Sequence, residues 1–410
     1  MQTIRSFWDF FSGSLRCLLR GNAWYWAWLA FLLLLTVIGG IAYWRQLDEG
    51  LITTSMRDQV SWAFYIGNFT FLVGVAAAAI LLVIPAYFYH WGPIKEVVVL
   101  GELLAISAVA MCGLFVLVDV GRPDQLLHLV PGIGYLNFPS SLLAWDVIVL
   151  NGYLVLNVVI VGYLLFAMYR GRKPKAWFFL PLVLLSIPWA ISIHTVTAFL
   201  YNGLVARPFW NSAILAPRFI ASAFCSGPAI LLILLQLVRR FTTLQIKDVA
   251  IWKIAELMAY AMAVNLFLLG AEIFTIVYSD SGHRIYLEYM FLGVGGHTAI
   301  VPYMWISVFC SVVAMALFLV PRTRQHPVTL NVGCILIYFG VYLEKGMGLV
   351  IPGFTPDAQG EIYEYFPSMN EVWIAAGVFS IGFLIFTALV KVTTPILVGD
   401  FRAKSAVTAG

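Results

Sequence analysis

Ten stretches of about twenty or more mostly apolar residues, parted by short polar breaks, run through the sequence. They lie at about 24–43, 61–88, 97–118, 141–168, 177–200, 213–238, 252–277, 287–319, 329–350 and 371–393. A bilayer core is about 30 Å thick and a helix rises about 1.5 Å per residue, so each stretch is long enough to cross it as a helix. Barrel strands would be half as long and would alternate polar with apolar. The expected fold is therefore all-α and integral to a membrane. Only 11% of the residues are charged, against about 25% in soluble chains, and no nucleic-acid partner is expected. The first stretch follows Arg16 and Arg20 without a small-residue cleavage site and reads as a retained helix. Residues 1–397 form one polytopic domain on this reading, and 398–410 a short flexible tail. The second and eighth spans are long enough to tilt. Pro85, Pro188, Pro228 and Pro302 are compatible with membrane helices.

Charge placement orients the spans. Of the 24 Lys and Arg residues, seventeen fall on the side of the termini, six on the other, and Lys345 within the ninth span. Basic loops stay in the cytoplasm, so both termini are expected there.

That orientation gives each ionisable residue a depth. Asp119, Arg122, Asp146, His194, Glu272, His297, Glu344 and Lys345 gather in the outer half. Glu102 and Glu256 lie on the cytoplasmic half, where they are either a proton path or interfacial helix-end acids. Charges within spans are costly unless paired, hydrated or used. The sharpest local feature is LFVLVDVGRP at 114–123. Here an apolar helix meets Asp119, Gly121, Arg122 and Pro123, and Gly and Pro stop it. Asp119 and Arg122 read either as a helix-ending ion pair or as part of a site. In the second span Tyr65 and Asn68 are polar, and Asn68 either fixes a helix pair or touches a ligand.

A buried acid, a histidine and tyrosines beside an apolar pocket suit a quinone. Its carbonyls need donors, and a histidine steadied by a carboxylate can move the proton that accompanies each electron. No metal site is expected. The five cysteines are scattered without a CxxC and read as buried small side chains. Only His194 and His297 sit well within spans. There is no CxxCH and no GxGxxG, so no haem, iron–sulfur cluster or nucleotide is expected in the chain itself.

The D-x-G-R-P turn and the Trp62–Ala79 helix with Gly67 and Gly74 resemble the NrfD/PsrC family of respiratory membrane subunits. So do Asn137, Pro139 and Ser140 before the fourth span, although Leu142 stands where that family has Met. The likeness covers essentially all ten spans. HTVTAFLYNGLVARPFWNSAILAPRFIASAFCSG at 194–227 and GEIYEYFPSMNE at 360–371 are similar to the ten-helix DsrP, Hmc and Qrc branch. The resemblance implies two four-helix bundles with flanking helices. It also implies a menaquinone or menaquinol near the outer surface and an outer ferredoxin-like iron–sulfur subunit, often with a multihaem cytochrome c. Asp119 and His194 match positions where quinone and its protons are handled. Asp146, Glu272, Tyr65 and Asn68 are weaker candidates, while Gly121, Arg122 and Pro123 order the turn.

The leading expectation is a quinone-interacting subunit of a respiratory redox complex, one linked to sulfur-compound respiration. Electron direction is open, and the isolated chain is not expected to be catalytic. One rival is a purely structural membrane anchor. Another is a proton-coupled secondary transporter, disfavoured by the few paired Gly/Pro interruptions. The outer segment 351–370, rich in acids and aromatics, reads either as a solvated loop or as a partner-docking surface.

Overall fold

The computed structural model describes residues 2–89, 91–95, 97–130, 132–279, 281–357 and 359–403. Residues 404–410, most of the expected flexible tail, lie outside these. Among the described residues the chain is helical, with one isolated bridge between Val294 and His297 and no strand.

Twelve helices organise it. A surface helix, α1 (Gln2–Leu18), precedes the spans α2 (Ala23–Glu49), α3 (Phe64–Tyr87), α4 (Val98–Asp119) and α5 (Leu142–Tyr169). Then come α6 (Ala176–Asn202), α7 (Leu215–Phe241) and α8 (Asp248–Tyr278). A short α9 (Arg284–Phe291) leads to the spans α10 (Val301–Leu319), α11 (Pro327–Phe354) and α12 (Met369–Val398). Ten of these helices are long and apolar enough to cross a membrane.

Helices α3 to α6 pack as one four-helix bundle, and α7, α8, α10 and α11 as a second. The bundles meet along α3, which rests on α7 and on the middle of α11. Helices α2 and α12 flank them as a pair, with α12 also against α4. In α2 only Leu32, Gly39 and Gln46 are buried. They are seven residues apart and so form one stripe, and the rest of the helix is apolar because its solvent is hydrocarbon. At Gly39 the backbones of α2 and α12 nearly touch: a Cβ there would stand 2.6 Å from Gly377 Cα. Small residues permit such crossings.

On α1, Phe10 packs on Phe166, Tyr169 and Phe401, so the two ends of the described chain meet on one face of the bundle.

Three stretches differ from the sequence reading. The expected eighth span, 287–319, is broken. Gly293, Gly295 and Gly296 take φ of +86°, +59° and +87°, a left-handed backbone that ends a helix, and the span proper starts at Val301. His297 therefore sits in a loop, outside any span. Helix α3 is interrupted at Ala77 and ends in a π turn, Ile84–Phe88. Helix α11 contains a second π turn, Tyr342–Met347.

Candidate functional site

The π turn of α11 separates two cavities. An α-helix repeats every 3.6 residues; a π turn adds a residue to one turn and re-aims the side chains on it. Tyr342, Leu343 and Met347 face a pocket with about 270 Å³ of room for the centre of a water molecule. Val341 and Lys345 face a much smaller chamber, with about 10 Å³ on the same measure.

The larger pocket lies at the face opposite the termini. Phe64 at the start of α3, Tyr289 of α9, and Ile300, Tyr303 and Met304 around the start of α10 form its walls with α11. Glu364, Tyr365, Phe366 and Pro367, from the segment before α12, complete them. Tyr303 and Phe366 are about half exposed, so the mouth opens at the bundle surface. Glu364 Oε1 accepts a hydrogen bond from Ala299 N at 3.1 Å. His297 Nδ1 stands 3.6 Å from the same oxygen. The pocket is therefore mostly apolar, with phenols in its wall and an imidazole–carboxylate pair at its edge, a composition suited to a large apolar ligand with a few polar atoms.

A buried clamp holds this wall. Ser368 caps α12 by accepting Glu371 N at 3.2 Å, and Glu371 reaches back to Ser368 N at 2.8 Å, a capping box. The same carboxylate accepts Ser55 N at 2.8 Å and the Tyr365 hydroxyl. Tyr363 and Ser368 add hydrogen bonds to Ser55 O and Thr53 O. The segment before α3 is thereby stapled to the segment before α12. Burial first, and the Glu371 carboxylate second, push the Tyr365 phenol well above its ordinary range. Burial, with Glu364 nearby, pushes Tyr289 up to about 12. Both remain neutral phenols at any physiological pH.

The sequence-named residues fall into separate places. Asp119, at the end of α4, lies within electrostatic reach of Glu371 and Tyr65. Of the two readings of Asp119 and Arg122, the helix-ending ion pair is not formed among the described residues: Arg122 binds Asp124 through two bonds of 3.0 and 2.9 Å. That bidentate bond holds the Asp124 carboxyl down at about 2. Pro123 opens a 3₁₀ turn, Pro123–Leu129, and Gly121 lies against Leu51. Tyr65 donates to Gln46 at 2.8 Å, and Gln46 donates to Val118 O at 2.6 Å, tying α2, α3 and α4 together. Asn68 donates to Phe64 O at 2.7 Å and lies beside Tyr342. Asp146 accepts Thr197 at 2.8 Å, joining α5 to α6. His194 is buried and lines the smaller chamber. None of these residues lines the larger pocket.

Glu272 belongs to a buried ion cluster. Arg218 of α7 bonds Glu272 with one guanidinium nitrogen and Glu344 Oε1 with the other, at 2.6 Å. Asn265 donates to Glu344 Oε2 at 3.0 Å. Counted along the sequence, Arg218 falls among the loop charges; in the structure it is 8% exposed within a span. Glu102 is buried in α4, whereas Glu256 of α8 is bound by Tyr260 and Arg324 at 2.8 and 3.1 Å. The two stand in different bundles.

Sequence reasoning missed Tyr289, Tyr303 and Tyr342 as pocket residues. Their spacing gives no signal, because three elements distant in sequence converge. The aromatic–acidic run 363–366 carries one, but in the sequence it reads equally as a solvated loop or as a partner-docking surface.

Ten spans, eight of them in two four-helix bundles and two flanking, with a ligand-sized pocket at one face, define a polytopic membrane subunit and not a self-contained soluble enzyme. The chain belongs to the NrfD polysulphide reductase family, whose model matches residues 53–355. It is 28% identical over 400 residues to a dimethyl sulfoxide reductase membrane subunit of Halobacterium salinarum, covering 88% of this chain and 89% of that one. It is 21% identical over 405 residues to a selenate reductase subunit of Mesobacillus selenatarsenatis, covering 87% and 91%. It is 23% identical over 382 residues to an Hdr-like menaquinol oxidoreductase integral membrane subunit of Archaeoglobus fulgidus, covering 90% and 92%. By name these relatives are subunits of reductases or of a menaquinol oxidoreductase, two of them membrane subunits.

Proposed function

We propose that this chain is the quinone-interacting membrane subunit of such a complex. Menaquinol is its substrate, and the pocket between α3, α9, α10 and α11 is where it binds. The observation that carries this reading is the pocket itself: aromatic and methionine walls, a mouth at the bundle surface, and the His297–Glu364 pair beside it. A quinol hydroxyl placed at that edge gives its proton to His297, with Glu364 steadying the imidazolium. Oxidation releases two protons and two electrons, and the electrons leave to a partner. A ferredoxin-like iron–sulfur subunit on the periplasmic side, with or without a multihaem cytochrome c, is the acceptor this reading requires. It places both termini in the cytoplasm and the chain in the inner membrane. The reverse direction uses the same groups.

Asp119 enters through Tyr365 and Glu371 as a further proton acceptor behind the pocket wall. The relatives' names carry different terminal substrates, so linkage to sulfur compounds depends on the partner subunits. The test is photolabelling of the complex with an azido-menaquinone. Label on 289–304, 342–351 or 364–367, competed by menaquinone, supports the reading. Label elsewhere, or none that competes, sinks it and favours a purely structural anchor.

A further inference from the structure

The smaller chamber lies behind the pocket wall, among α3, α6, α7 and α11. Lys345 is 3% exposed, and its Nζ has no hydrogen-bond partner among the described residues. Its nearest polar atom of opposite charge is Glu344 Oε1, at 3.9 Å, and it stands 5.1 Å from the centre of the Phe219 ring. His194, 2% exposed, lines the same chamber, and neither of its ring nitrogens has a partner among the described residues. The Ser226 hydroxyl, also in the lining, is likewise unpartnered.

Three unsatisfied buried groups around one small space are costly left dry. The chamber's room of about 10 Å³ matches that of a single water, which needs two to four polar partners. The surrounding charges are balanced. Arg218 and Lys345 are the bases, and Glu272 and Glu344 the acids. Both acids are bonded to Arg218, which keeps its proton under all conditions. The remaining groups near the chamber are hydroxyls and an amide: Thr70 of α3, Ser222 of α7 and Asn265 of α8. Lys345 and His194 are thus the two members free to exchange.

We infer that this chamber is a hydrated proton-exchange site, in which Lys345 passes a proton through one water to His194. The ammonium N–H breaks as a water O–H forms; another O–H of that water breaks as the imidazole N–H forms. The products are a neutral amine and an imidazolium, so a charge moves without changing the total in the buried layer. Tyr342, on the same π turn, lines the quinone pocket, so what binds there bears on the turn that carries Lys345. The exchange site itself does not rest on the quinone reading; only its kinetic readout does.

The experiment uses the intact complex, purified through this chain and held in lipid nanodiscs, with Lys345→Arg and His194→Gln variants. Arginine keeps the charge but does not release its proton. Infrared difference spectra between two pH values, with ¹⁵N-histidine, should show an imidazole component that is present in the wild type and missing in His194→Gln, and that Lys345→Arg shifts. With a soluble menaquinol analogue, both variants should bind with unchanged Kd and lose roughly tenfold or more in kcat, with a flattened pH profile. A Lys345→Arg protein with the wild-type spectrum and pH profile overturns the proposal and leaves Lys345 a structural charge. If the wild type fails to bind the analogue, the quinone reading falls, and the infrared arm alone then decides the exchange site.

Discussion

Arg218 holds two carboxylates at once: Glu344 at 2.6 Å from one guanidinium nitrogen, and Glu272 from the other. These residues come from α7, α11 and α8, so one side chain ties three of the four helices of the second bundle. Removing it leaves two acids buried without a base they touch. Breaking one partner out of a buried ion cluster costs about 3–5 kcal/mol. Arg218→Ala should therefore unfold at markedly lower temperature in detergent. A triple change to Arg218→Met, Glu272→Gln and Glu344→Gln should recover much of the loss. Equal midpoints for Arg218→Ala and wild type would show that the cluster does not support the fold.

Glu371 organises the pocket from behind. Glu371→Ala removes the acceptor of Ser368 N, one half of the capping box of α12, and the acceptors of Ser55 N and Tyr365 at a buried position. The expected loss is about 1.5–3 kcal/mol for a charged acceptor, together with weaker menaquinone binding. Tyr365→Phe should lose only the second. Fluorescence quenching by a menaquinone analogue separates the two, and wild-type affinity in both variants would contradict the clamp.

His297 acts as a proton acceptor on the proposed reading. His297→Gln should leave analogue binding intact and reduce quinol oxidation by the complex by roughly 10²-fold. Glu364→Gln should give a smaller fall. Steady-state kinetics at several pH values checks this, and an unchanged kcat would remove His297 from the mechanism.

Arg122 should matter little to stability despite its place in the most recognisable motif. Its pair with Asp124 is exposed, with side chains 73% and 57% accessible, and exposed pairs contribute little. The sign is fixed: a carboxyl depressed to about 2 from an unfolded value near 3.9 contributes fully above about pH 4. The contribution fades as the pH falls through 2. Acid-unfolding curves of wild type and Arg122→Ala should differ at most slightly above pH 4 and converge as the pH falls through 2.

The ten spans were legible because hydrocarbon imposes length and polarity on every crossing helix; their grouping into two bundles came only with the family resemblance. Boundaries failed where local geometry outweighed composition. The run 287–319 is apolar enough to read as one helix, yet three left-handed glycines break it and move His297 into a loop. Arg218 is misplaced for the opposite reason: an arginine near a span end counts as a loop charge unless its two acidic partners, 54 and 126 positions later, are known. The pocket was illegible because its phenols come from separate helices. The shared depth of Glu272, Glu344 and Lys345 was readable, and they do lie together.

The π turn at 342–347 makes helix length a chemical variable. Each residue in a helix advances the following side chains by about 100°. Deleting one residue there would restore the ordinary α repeat and rotate everything up to Phe354. Tyr342 and Lys345 could then no longer face their separate cavities. A gap of one position in this turn is thus a heavier change than most substitutions around it, and sequences aligned through it should be compared by register before they are compared by residue type.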